Sequence, residues 1–253
     1  MSSPAELEFL NTYGIVSTVV MVVLGIPSFT LALIVYYRIL RHRDYRRSEV
    51  FRIVVINGIA DILVFATDLI IAKLTSFPAF SGMYSFIMDA QLNVPIACIS
   101  YYVRGVQLQT NFSLAFNRLV LIVHPFWVRK KARRFFLILL FLIFVLPMPF
   151  CIPAGFAGYE FIAFDAGNGS IAYYPQTPDE GNVLELMSTI YLITVTILSA
   201  LCNICLVFAS ISAKKRMDEN ATTGPEQGLV ASTIISFCFY LMYFICQRSE
   251  IIS

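Results

Sequence analysis

Fourteen of the eighteen lysines and arginines lie in alternate connections between long apolar runs, and that alternation fixes how the chain threads a membrane. Runs with little charge recur six times, giving expected helices over 13–37, 53–72, 95–123, 135–155, 184–211 and 229–245. Each can cross ~30 Å of hydrocarbon as a helix of about 17–25 residues, or more if tilted. The connection over 38–52 holds six Lys/Arg, that over 124–134 holds five and that over 212–228 holds three. Only Lys73 falls in the second connection, while the long fourth one, 156–182, has no basic residue and carries Glu160, Asp165, Asp179 and Glu180. The positive-inside rule assigns the basic side to the cytoplasm, so the amino terminus is expected outside a multi-pass protein of the plasma membrane.

A composition of 58% hydrophobic and 13% charged residues, with mean hydropathy +0.76, leaves too little charge to cover a soluble surface. The expected fold class is therefore all-α, a polytopic membrane helix bundle forming a single domain over 1–253, with the lipid bilayer as its solvent. The basic connections serve topology and do not mark a nucleic-acid partner. The first run is too long for a signal-peptide core and has no basic stretch before it, so it stays as a signal anchor. In the fourth connection Tyr173, Tyr174, Pro175 and Pro178 favour extended or turn structure, able to cover an outer cavity. Pro147, Pro149 and Pro153 crowd the outer end of the fourth run, where missing backbone donors bend or unwind a helix.

All six cysteines lie in apolar runs, where Cys is usually a small packing residue. Cys98 and Cys151 are both expected near outer helix ends on the oxidising side, which makes them the candidate disulfide. Of three Asn-X-Ser/Thr matches, Asn111 falls within the third run and Asn220 on the cytoplasmic side, leaving Asn168 as the expected glycosylation site.

Charge at membrane depth costs several kcal/mol, so Asp61, Asp68 and Arg104 require partners, water or a ligand. Asp61 and Asp68 are seven apart and share a helix face. On the third run Tyr101, Arg104, Leu108, Asn111, Ala115 and Arg118 form one stripe in steps of three and four. Arg104 lies roughly 21 Å outward of Arg118, and Asp68 roughly 24 Å outward of Arg52, which puts Asp68 and Arg104 at similar depth. They are candidate partners, either as a structural pair or, with Tyr101 and Leu108, as the anchor of a ligand in an outer-half pocket. A third possibility is that Arg104 lies nearer the surface.

The segment Asn117 to Phe126, NRLVLIVHPF, resembles the cytoplasmic end of helix three in rhodopsin-like seven-helix G-protein-coupled receptors, including the spacing from Arg118 to Pro125 and the bulky Phe126. Ile59-Ala60-Asp61-Ile62-Leu63 is similar to that family's Ala-Asp-Leu segment, whose buried Asp binds sodium ion and water. The Asn-Arg pair and the basic first connection followed by Phe51-Arg52 look like the nematode serpentine chemoreceptors of the Srg superfamily. The chain departs from the broader pattern where Asn117 replaces an acidic residue, where Trp127 is the only tryptophan, and where the fourth connection lacks the family's disulfide cysteine.

The resemblance implies a chemosensory receptor that binds a small molecule between the outer halves of helices two, three, five and six and opens its cytoplasmic face to a heterotrimeric G protein. Asp61, Asn117 and Arg118 would act as the conformational switch, with Arg118, Pro125 and Phe126 at the G protein and a higher basal activity from Asn117. The resemblance also implies a seventh helix, which the sequence to Ser253 does not carry, so a non-signalling truncated receptor is one alternative. A small multi-pass transporter using Asp61, Asp68, Arg104 and Asn111 is the other. No catalytic set, metal site or cofactor site is expected, because His42 and His124 sit in separate connections and neither Gly-X-Ser-X-Gly nor His-Glu-X-X-His occurs. The threading is checked by expression in microsomes. Asn168→Gln should remove the endoglycosidase-sensitive mass shift and Asn220→Gln should leave it, whereas sugar on Asn220 would reverse the topology.

Overall fold

The computed structural model describes residues 49–156, 160–165, 171–176 and 182–216, with scattered residues between 19 and 42. The amino-terminal arm, Asn168, Asn220 and the sixth run over 229–245 lie outside the described residues. Two compact units are present, Met1–Thr110 with Phe141–Leu192 and Asn111–Leu140 with Ile193–Ser253. The described residues contain α1 (Glu49–Asp68), α2 (Ser81–Asp89), α3 (Asn93–Val123), α4 (Pro125–Phe144), α5 (Met148–Phe156) and α6 (Asn182–Arg216). A hairpin of β1 (Glu160–Asp165) and β2 (Ile171–Gln176) stands between α5 and α6.

Among the described residues, three stretches are long and apolar enough to cross a membrane: Val50–Ile71, Lys131–Pro153 and Leu186–Ala209. The protein is an all-α membrane helix bundle, with one small hairpin among the described residues. Helix α3, at 31 residues, has ample length to span but is less apolar, because Arg104, Gln107, Gln109, Asn111 and Arg118 interrupt it. The polarity of these helices runs opposite to that of a soluble protein. On α6 the exposed positions include Leu186, Ile190, Ile197, Leu201, Ile204 and Phe208, whereas Ser188, Ser199 and Asn203 are buried. Such a helix suits a lipid exterior, where small and polar residues pack inward and mediate helix contact.

In the first unit, close backbone approach replaces bulky packing. Gly58 on α1 lies beneath the Tyr36 ring, where any Cβ would collide with it. Gly105 on α3 faces α5, and a Cβ there would stand 2.7 Å from Cys151 Sγ and 2.9 Å from Pro147 Cβ. That register corrects the expected disulfide. Cys98 and Cys151 are both free, for the Cys151 sulfur points at Gly105, two turns along α3 from Cys98, while Cys98 Sγ contacts the Ile152 carbonyl at 3.6 Å.

The proline cluster breaks the fourth run as expected. Residues 145–147 form a turn between α4 and α5, and the amide of Met148 bonds to Val145 in place of Phe144. The Phe144 carbonyl is instead satisfied by the Tyr102 hydroxyl, which donates to it at 3.0 Å. At the other end, the connection over 124–134 proves helical, with α4 beginning at Pro125 and kinking at Lys131, where φ is −121° and ψ is 18°. Proline suits a first helical position, and the Lys/Arg-rich sequence behind it has good helix propensity.

The segment after α1 and the hairpin fold together into a small cap. Pro78 opens a 3-10 turn, Pro78–Phe80, that leads into α2. On α2, Tyr84 and Ile87 are buried and form a core with Phe161 of β1, flanked by Leu74, Met88 and Tyr173 of β2. The fourth connection is expected to be extended, and the antiparallel register Phe161 to Pro175 and Ala163 to Tyr173 realises that. Burial pushes the Tyr84 phenol up, so it keeps its proton. Its contribution to the cap is fully present below the ordinary phenol range and is lost only as the pH rises through the raised value.

The second unit stacks Phe112 on Phe116 at 5.8 Å and sets Phe116 against Phe135 at 6.1 Å. The close packing at Gly105 is directly testable. Gly105→Ala should cost about 1–3 kcal/mol, read as a lower thermal midpoint of the purified protein. Adding Cys151→Ala should restore part of the loss by removing the obstructing sulfur.

Candidate functional site

Two polar rungs link α1 to α3 within the first unit. On the outer rung Arg104 Nη2 pairs with Asp68 Oδ1, the partnership that their equal depth suggested. The side chains retain 26% and 13% exposure, so the pair is neither solvent-screened nor sealed. On the inner rung Asp61 accepts from Gln107 Nε2 at 2.6 Å and from Asn57 Nδ2 at 3.0 Å. Antiparallel helices account for this order, because moving inward along α1 from Asp68 to Asp61 corresponds to moving forward along α3 from Arg104 to Gln107.

The two rungs differ chemically. Asp68 meets a guanidinium, which neutralises it at a depth where an isolated charge is costly. Asp61 accepts from two amide side chains, one on its own helix and one on α3. Tyr101 is buried one turn outward of Arg104, and Leu108 is half-buried one turn inward, so these two flank the ion pair along α3. A third polar contact lies nearby, where the Tyr191 hydroxyl of α6 donates to Gln109 Oε1 at 3.2 Å. Tyr191 is held flat against Phe150 of α5, with ring centroids 4.8 Å apart and planes 2° from parallel.

The second unit holds the other residues singled out in the sequence. Asn117 is 5% exposed and Arg118 is half-buried, both near the carboxyl-terminal end of α3. Pro125 begins α4, and Phe126 beside it is 85% exposed, the most exposed large apolar residue among those described.

Sequence reasoning missed Asn57, Gln107, Gln109 and Tyr191. Their spacing carried a signal, since Asn57 is one turn before Asp61 and Gln107 one turn after Arg104. The most buried polar line on α3 also differs from the expected stripe. It includes Gln109, Ser113 and Asn117 in steps of four, together with Thr110. Tyr101, Arg104 and Ala115 of the expected stripe are at least half-buried as well, so α3 is enclosed over more of its circumference than one stripe would require.

The family model described as Srg family chemoreceptor matches residues 18–250. No curated protein matches the chain.

Removing one member of the outer rung should cost more than removing both. Asp68→Asn leaves Arg104 without its carboxylate at membrane depth, an expected loss of about 2–3 kcal/mol, below the 3–5 typical of a sealed pair. Asp68→Asn with Arg104→Gln should recover much of that loss in a double-mutant cycle of thermal midpoints, and additive losses would count against the pairing.

Proposed function

Because this chain belongs to the Srg family of chemoreceptors, we propose that it senses a small molecule through the outer rung of its first unit and signals to a heterotrimeric G protein at the cytoplasmic end of α3. The single observation that carries the ligand site is the half-buried Asp68–Arg104 pair. A charged pair with residual access, flanked by Tyr101 and Leu108, offers a polar anchor beside an apolar wall, the usual composition of a small-molecule site. Binding there must favour one arrangement of the pair over another, since a ligand with equal affinity for both states signals nothing.

Asp61, with its two amide donors, is proposed as part of the conformational switch, together with Asn117 and Arg118. The exposed Phe126, with Pro125 and Arg118, forms the proposed G-protein contact. In this reading the chain sits in the plasma membrane with its amino terminus outside, as the distribution of basic residues favours. Arg104 and Arg118 both lie within α3. Asn117 supplies no carboxylate beside Arg118, so basal exchange should be measurable before any ligand is added.

The test is nucleotide exchange on a panel of G proteins in cells expressing the chain, screened with mixtures of small volatile and water-soluble metabolites. A ligand-dependent rise is expected. Arg104→Ala should move the half-maximal concentration at least ~10-fold at unchanged surface expression, the order of effect of losing a charge-assisted contact. Phe126→Ala should abolish exchange while ligand binding persists. Solute flux that Asp61→Asn abolishes, with no exchange on any G protein, would identify a transporter instead.

A further inference from the structure

Helix α1 ends in an unusual way. After Asp68 the backbone widens into a π turn, Leu69–Lys73, where the Leu74 amide reaches back five residues to the Leu69 carbonyl. A π turn holds one residue more than an α turn, and such turns concentrate where a helix does functional work. Expelling that residue would rotate the preceding helix by about 100° and shift it by about 1.5 Å relative to the chain beyond the turn. Asp68 is the residue directly before the turn, and its carboxylate is the one that meets Arg104. The direction of that carboxylate therefore depends on the state of the turn.

The outer cap grips the same turn. Tyr84 of α2 donates its hydroxyl to the Ile70 carbonyl, inside the π segment. Its ring is fully buried, with Phe161 of β1 at 5.1 Å and Tyr173 of β2 at 5.7 Å. Strand β2 also packs against the π turn and the adjoining 3-10 turn Leu74–Ser76. Moving the turn would strand a buried hydroxyl, and moving the hairpin would remove the rings that hold it.

We propose that Tyr84 is a positioning residue that couples the outer cap to the Asp68–Arg104 pair, its hydroxyl holding the π turn in the register that aims Asp68 at Arg104. A π turn that can collapse to an α turn gives the element the two discrete registers that a switch requires. Displacing the hairpin releases the turn and turns the carboxylate away from the guanidinium. This deepens the proposed receptor function by naming the link between an event at the outer face and the ligand anchor.

Hydrogen–deuterium exchange on the full chain in lipid nanodiscs tests the link without any ligand. Tyr84→Phe keeps the ring and removes only the hydroxyl, so amides over 69–76 should exchange roughly fivefold faster, while the middle of α6 stays as in the wild type. Phe161→Leu loosens the hairpin yet keeps the hydroxyl, and it should accelerate the same segment. It decides the matter alone if Tyr84→Phe is not recovered folded. In a cycle of thermal midpoints Tyr84→Phe and Asp68→Asn should be non-additive, whereas a purely local role for Tyr84 in the cap gives additive losses. Wild-type exchange over 69–76, or acceleration confined to α2 and the hairpin, would overturn the proposal. None of these readouts uses a G protein, so failure of the signalling reading and failure of this one are separately visible.

Discussion

A polar group inside hydrocarbon has no water to fall back on, and most of the polar architecture of this chain stems from that constraint. The proline break of the fourth run frees a carbonyl at Phe144, and the Tyr102 hydroxyl meets it. Thr67 returns its hydroxyl to the Leu63 and Val64 carbonyls of its own helix. Asp61 collects two amide donors, and Asp68 collects a guanidinium. In each case the partner comes from the same helix or from one packed against it, so the polar residues decide which helix faces meet.

Packing obeys the same logic from the other side. Lipid is as apolar as leucine, so burying leucine gains little between spans and close approach gains more. Gly25 against Phe65, Gly58 under Tyr36 and Gly105 under Cys151 are points of close approach, and none tolerates a Cβ without displacement. Meanwhile Leu137, Ile138 and Phe141 on α4 stay exposed, as a lipid-facing surface should. The second unit shares this pattern, burying Asn117, Ser199 and Asn203 while Phe208 remains outside.

Three of the apolar runs were legible as helices long enough to cross a membrane, Val50–Ile71, Lys131–Pro153 and Leu186–Ala209, because the length and hydropathy of a span are set by the bilayer and not by the rest of the fold. The depth match of Asp68 to Arg104 was legible for a related reason, since helical rise converts residue count into depth. The prolines announced the break at 145–147, and the Tyr/Pro-rich fourth connection announced extended structure. Other features depend on rotation about a helix axis, which depth does not reveal. Cys98 and Cys151 share the outer region but not a facing register, and Gln107 was passed over because an amide carries no charge to demand explanation. Helix α2 and the helical start of α4 were missed because a topological reading treats everything between spans as connection. Propensity in Pro125 to Arg134 had already favoured helix there.

An ion pair at membrane depth is a poor device for stability alone, because two apolar residues of similar volume would hold the helices at lower desolvation cost. What the pair has and an apolar contact lacks is direction. A rotation of about 100° lets two leucines repack with little loss, while it separates a carboxylate from a guanidinium altogether. Placing that direction-sensitive pair immediately before the turn whose register controls rotation makes the pair a reporter of the turn. The cap is built on the same turn through Tyr84, so a displacement outside the membrane is converted into a change of charge pairing within it. The costly residues of α1 and α3 are thus the ones able to distinguish two states of the helix, and this accounts for their position better than adhesion between helices does.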